Sequence, residues 1–154
     1  MMPCCELSTL ASLKGILLSS TKTFTVFGEP IEILISGEMT HGRSTTLIQT
    51  SPPGGGPPPH AHRNEDEIFY VLEGDYEFLQ NGEWSKVEPG QAVCGMRGAF
   101  HTFHNSGTTE GRMLIFVAPA GIENYFEEIA PLSMPWDLAQ LLDISERFGI
   151  SFQL

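Results

Sequence analysis

From Phe24 onward, apolar and polar residues alternate with a period of two, the mark of half-buried strands. In PIEILISGE, Ile31, Ile33 and Ile35 fall on one side. STTLIQTS is rich in β-branched residues, which suit a pleated surface. EIFYVLEG, YEFLQ, QAVCG, AFHTFHN and RMLIFVAPA follow at close spacing, cut by Gly, Pro and Asn. Asn81-Gly82 predicts a tight hairpin, because both residues accept positive φ. Many short strands between such breakers predict a sandwich or barrel. After Pro119 the period lengthens, and Ile122, Tyr125, Phe126 and Ile129 share one helical face. Pro135 suits the first turn of a second helix, with Asp137 just inside it. Leu138, Leu141 and Leu142 form its apolar stripe, and Gly149 stands past its end. The pattern predicts an all-β fold with short C-terminal α-helices in a single domain, 1–154, with a barrel over about 24–119 and helices over about 122–149. Residues 1–20, containing LSTLASLKGILL, read either as a short helix or as an arm packing on another surface.

At 154 residues the chain is long enough to bury an apolar core without disulfide staples. A net charge of -11 repels phosphate backbones, so nucleic acid is not an expected partner, and the charge serves solubility. No run reaches the roughly 18 apolar residues of a membrane span, and no basic stretch followed by a long apolar run opens the chain. Neither a membrane nor secretion is therefore expected. Cys4, Cys5 and Cys94 form no even framework and no CxxC, so a reducing cytoplasm is the expected compartment. Cys94 is expected to be a small buried apolar residue, and Trp84 and Trp136 to be packing residues. SPPGGGPPP has the composition of a linker but lies between two strands, so it reads as a rigid loop.

That loop runs into HAHRNEDEIFYVLEG, where the chemistry concentrates. Alternation points His60 and His62 to the same side, so both imidazoles can meet one ion. Glu67 opens the next strand on the face of Phe69 and Val71, and Arg63 to Asp66 can form the turn that returns it to the histidines. Glu65 and Asp66 are rival ligands by composition, or solvated loop acids. In RGAFHTFHN, His101 shares a face with Phe103 and Asn105, and His104 points the other way. Three neutral imidazoles and a carboxylate suit a borderline divalent metal and leave two octahedral positions open. A structural metal would instead be closed off and thiolate-rich. His41 and Arg43 sit in a loop, either on a pocket rim or in water.

These residues resemble the cupins. The first cupin motif, G-x5-HxH-x4-E-x6-G, is met by Gly54, His60, His62, Glu67 and Gly74. The second, G-x5-PxG-x2-H-x3-N, is met by Gly90, Gly98, His101 and Asn105, with Met96 where proline is usual. The resemblance implies a double-stranded β-helix, or jelly roll, enclosing one divalent transition metal ion on His60, His62, Glu67 and His101. It also selects Glu67 over its acidic neighbours. Iron, manganese, nickel, copper, cobalt and zinc are not separated by spacing. GGGPPPHAH is most similar to the quercetin 2,3-dioxygenase-like cupins, which implies a dioxygenase acting on a small aromatic or enolic substrate. Glu67 would then double as catalytic base, and Phe69, Phe100 and Phe103 would wall the pocket. A non-oxidative isomerase, epimerase or decarboxylase, or a non-catalytic small-ligand-binding cupin, would use the same ligands. Ile68, Tyr70 and Leu72 make the opposite face of the Glu67 strand apolar, so that face should be covered. With the resemblance, this favours a homodimer.

Overall fold

The computed structural model describes residues 22–135 and 137–153. The helix or arm expected over 1–20, and the packing expected of Trp136, lie outside the described residues. The elements run β1 Lys22–Val26, β2 Glu29–Ile35, β3 Thr45–Ser51, β4 His60–His62, β5 Asp66–Glu73, β6 Tyr76–Gln80, β7 Glu83–Val87, β8 Ala92–Gly95, β9 His101–Asn105, β10 Gly111–Ala118, α1 Ile122–Ile129, α2 Leu138–Arg147 and β11 Ile150–Phe152. One sheet has the order β1-β2-β3-β10-β5-β8 and the other β11-β4-β9-β6-β7. All the pairings are antiparallel. The fold is the expected all-β jelly roll with short C-terminal helices.

Alternation builds the interior. Glu67, Phe69 and Val71 of β5 are buried while Ile68, Tyr70 and Leu72 are exposed, and β10 alternates in the same way through Met113, Ile115 and Val117. Asn81 and Gly82, at φ 53° and 81°, form the β6–β7 turn as expected. In β2 the stripe stops at Ile33. The register against β3 shifts between Ile33 and Ile35, which turns Ile35 outward.

The C-terminal segment departs from expectation in detail. Asp137 is the N-cap of α2, so it and Pro135 precede the helix, and the Asp137 carboxylate accepts a 2.8 Å bond from Ser133 N. Leu138 and Leu142 are exposed; the buried face is Leu141, Ile144 and Ser145. The rotation follows from Ser145, whose hydroxyl donates to Leu141 O (2.6 Å) and meets Tyr125 Oη of α1 (2.9 Å). Beyond Gly149, at φ 77°, comes β11, a strand the sequence pattern does not announce. It pairs Ile150 with His62 and Phe152 with His60, covering the edge of β4. Cys94 and Trp84 are exposed rather than buried, because β8 and β7 are edge strands; Trp84 leans against the His104 ring. Among the described residues, no helix is long and apolar enough to cross a membrane.

Candidate metal centre

The loop before β4 is fastened to β9. Gly54 N donates to Asn105 O, Asn105 N to Gly55 O, and the Thr102 hydroxyl to Pro57 O, at 2.8, 2.8 and 2.6 Å. These bonds tie the loop to β9, and it delivers His60 directly opposite His101 in the β4–β9 ladder. Asn105 is buried; its amide donates to Ser51 O (2.9 Å) and Thr109 O (2.7 Å), and its carbonyl accepts from Gly107 N. Its place in the second motif is therefore architectural. Gly95, paired with Glu67, makes room for His101: a Cβ there would lie 3.1 Å from the imidazole.

His60, His62, Glu67 and His101 come together, each offering one ligand atom, with all four atoms within 4.8 Å of one another. Glu67 Oε2 is 2.9 Å from His101 Nε2 and 3.3 Å from His62 Nε2. His60 Nδ1 donates to Pro58 O (2.9 Å) and His101 Nδ1 to Ala99 O (3.1 Å), so each ring presents Nε2 to the cluster. Two fixed tautomers, a third imidazole and a buried carboxylate fit a divalent cation. Asp66 points outward and is held by Arg97 Nη2 at 2.6 Å. Glu65 lies behind His62, its Oε2 3.4 Å from Nδ1, an ion-pair distance without good hydrogen-bond geometry. Neither acid belongs to the cluster. His104 faces away and pairs with Glu77 at 3.1 Å. His41 is exposed in a turn at φ 55°.

Electrostatics prepares the cluster for a cation. Burial, with His62 and His101 close by, pushes His60 down to about 4, so its ring is neutral at physiological pH. Burial alone would raise the Glu67 carboxyl, but the charge of His62 and the hydrogen bond from His101 outweigh it and bring Glu67 to about 2. A carboxylate that weakly basic suits ligation and makes a poor proton acceptor. Burial opposes a charge on His62, yet Glu67 and Glu65 on either side raise its pKa above the usual value of 6.5. Near pH 6.5 the metal-free site therefore carries a proton on His62 that a cation must displace. Calorimetric titration with zinc in buffers of different ionisation enthalpy should show net proton release on ion binding at that pH. Affinity should rise with pH by up to about tenfold per unit below the His62 pKa, where the site is protonated, and flatten above it. Release of no proton would contradict this assignment.

His60, His62 and Glu67 of the cluster line a cavity of about 60 Å³ inside the barrel. Phe69 and Phe103 line it, and both are buried. Phe100 does not. It is 44% exposed, because it precedes His101 by one residue and alternation turns it outward. The structure adds Phe152 of β11, whose ring centroid is 6.0 Å from that of His60. It also adds two buried polar residues, Glu29 of β2 and Gln49 of β3. Glu29 has the parity of Ile31 and Ile33, and Gln49 that of Leu47, and this is the sequence signal that places both inside.

Residues 47–117 match the family model described as "Cupin domain". Over that stretch, somewhat under half of its length, the chain is similar to cupin domains. It is 29% identical over 85 residues to the oxalate-binding protein of Thermotoga maritima, covering 54% of this chain and 70% of that protein. It also resembles the crystal structure of a predicted oxalate decarboxylase from Thermotoga maritima, with a TM-score of 0.57 at 25% identity, covering 65% of this chain and 92% of that one. KdgF from Halomonas sp. has a TM-score of 0.57 at 20% identity, covering 63% and 84%, and shares the fold.

Proposed function

We propose that this cupin, read as one domain, is a metal-dependent protein that takes a small oxygen-bearing molecule into its barrel and acts on it without dioxygen. His60, His62, Glu67 and His101 would hold the ion. When bound, the ion supplies positive charge that draws electron density from a ligand oxygen. The chain's own residues do the rest. Pro58 O and Ala99 O fix the imidazoles, Glu65 braces His62, and Phe69, Phe103 and Phe152 exclude bulk water. The single observation that carries the reading is this mixed N/O cluster at the wall of the barrel cavity. The oxalate-related names of the Thermotoga proteins agree with a small oxygen ligand. A quercetinase-like dioxygenase, implied by the motif wording, fits less well. A flavonol needs a cavity of several hundred Å³, and about 60 Å³ is present.

Metal-loaded protein incubated with oxalate and with short hydroxy-carbonyl compounds, in air and under argon, tests the reading. Equal turnover in both atmospheres is expected. Turnover that stops under argon, or turnover of flavonols, would favour the oxygenase instead. Binding without any turnover would leave the ligand-binding reading.

We further propose a homodimer formed through the outer face of the larger sheet. Phe116 stands opposite Ile68, and Leu114 opposite Tyr70, on adjacent strands. Ile68, Tyr70, Leu72 and Phe116 are exposed, and the C-terminal helices pack instead on β1 and β11. Sedimentation at micromolar concentration should give a dimer for the wild type, and Tyr70→Lys should raise the dissociation constant at least about tenfold. A wild-type monomer would remove the claim. The same reading keeps the chain in a reducing cytoplasm, compatible with the free, exposed Cys94 thiol.

A further inference from the structure

Glu29 is 3% exposed and Gln49 9% exposed, and both line the cavity that His60, His62 and Glu67 also line. Glu29 Oε2 accepts from Gln49 Nε2 at 2.8 Å and from the Ser51 hydroxyl at 2.6 Å. These bonds hold the carboxylate in one orientation. Oε1 receives no hydrogen bond among the described residues and is not among the fully buried atoms, so it is open to a donor. Gly55 preserves the space beside it: a Cβ there would fall 2.7 Å from Oε1. The apolar side chains of Ile31, Leu47 and Ile115 line the same cavity. Among the described lining residues there is no lysine or arginine.

The cavity thus contains two carboxylates, Glu67 in the cluster and Glu29 in β2, with a single ion to offset them. A ligand with a second carboxylate would bring negative charge toward Glu29 in a poorly solvated space, where like charges repel strongly. A ligand with an O–H group would instead donate to Oε1 and complete its hydrogen bonding. We infer that Glu29, held in place by Gln49 and Ser51, is a specificity-determining residue that selects a short hydroxylated carbonyl compound over a dicarboxylate. The inference rests on the ion site proposed above and differs from the oxalate specificity that the relatives' names carry.

The test uses full-length protein loaded with cobalt(II), whose visible spectrum reports ligand entry. Glycolate and oxalate form one probe pair, hydroxypyruvate and malonate a second. Affinities are read as hydroxyl-to-dicarboxylate ratios, so the cation's intrinsic preference cancels between variants. Glu29→Gln is expected to shift both ratios at least tenfold toward the dicarboxylate, with the cobalt spectrum of the unliganded protein retained. A normal spectrum with unchanged ratios overturns the specificity role and leaves the ion site standing. Absence of a cobalt spectrum in the wild type overturns the ion site and this inference together. Should Glu29→Gln fail to fold, Glu29→Asp keeps the charge and withdraws it, and the ratios should move in the same direction. Unchanged ratios there overturn the role equally.

Discussion

Replacing His101 with alanine should abolish ion retention. The ring is one of four donors, its Nε2 is 2.9 Å from Glu67 Oε2, and no neighbouring side chain in the cluster can substitute for it. Loss of an outer hydrogen-bond partner already costs up to about 100-fold in metal affinity, so loss of a ligand should exceed that. The variant should also be less stable without metal. Glu67 keeps its charge in the barrel largely because His62 and His101 favour it. Removing a hydrogen bond to a buried charge costs about 2 kcal/mol, or about 5 °C in Tm for a chain of this length. Elemental analysis after dialysis and a thermal melt measure the two effects. Wild-type ion content in His101→Ala would mean that the ion sits elsewhere.

Gly56→Ala should have the largest effect on the fold. Gly56 has φ 156°, and a Cβ there would lie 1.9 Å from Phe103 O and 3.1 Å from His104 Cα. Both obstacles are backbone of β9, so no side chain can swing aside. Backbone strain together with displacement of the loop costs on the order of 4 kcal/mol. Since the loop delivers His60 to the cluster, ion affinity should fall with Tm. Gly54→Ala is the control. Gly54 also has positive φ, 76°, but nothing lies within 4 Å of a Cβ there. It should cost only about 1 kcal/mol. If the two variants melt together, the close approach of the loop to β9 is not what holds it.

What the sequence reveals and what it conceals have the same origin, the period of two. His60 with His62, Glu67 with Phe69, and His101 with Phe103 share faces because strands alternate, so their convergence is readable once the turn between them is recognised. The same rule, carried one residue back from His101, turns Phe100 outward, and carried back from Ile31 it brings Glu29 inward. Glu29 is easily missed because Gly28 and Pro30 flank it and resemble a turn. The inversion at Ile35 depends on a register shift against β3, a property of the pair rather than of either segment. The strand β11 has three residues, too few for any period, and it owes its existence to the free edge of β4. The rotation of α2 is set by the Tyr125–Ser145 contact between helices, which no single helical stripe contains.

The most direct measurement is an anomalous difference map from crystals grown with cobalt(II) and collected at the cobalt edge. It should give one strong peak per chain inside the barrel, about 2.1 Å from Nε2 of His60, His62 and His101 and from a carboxylate oxygen of Glu67. A peak that leaves out any of these four side chains, or no peak inside the barrel, would contradict the account.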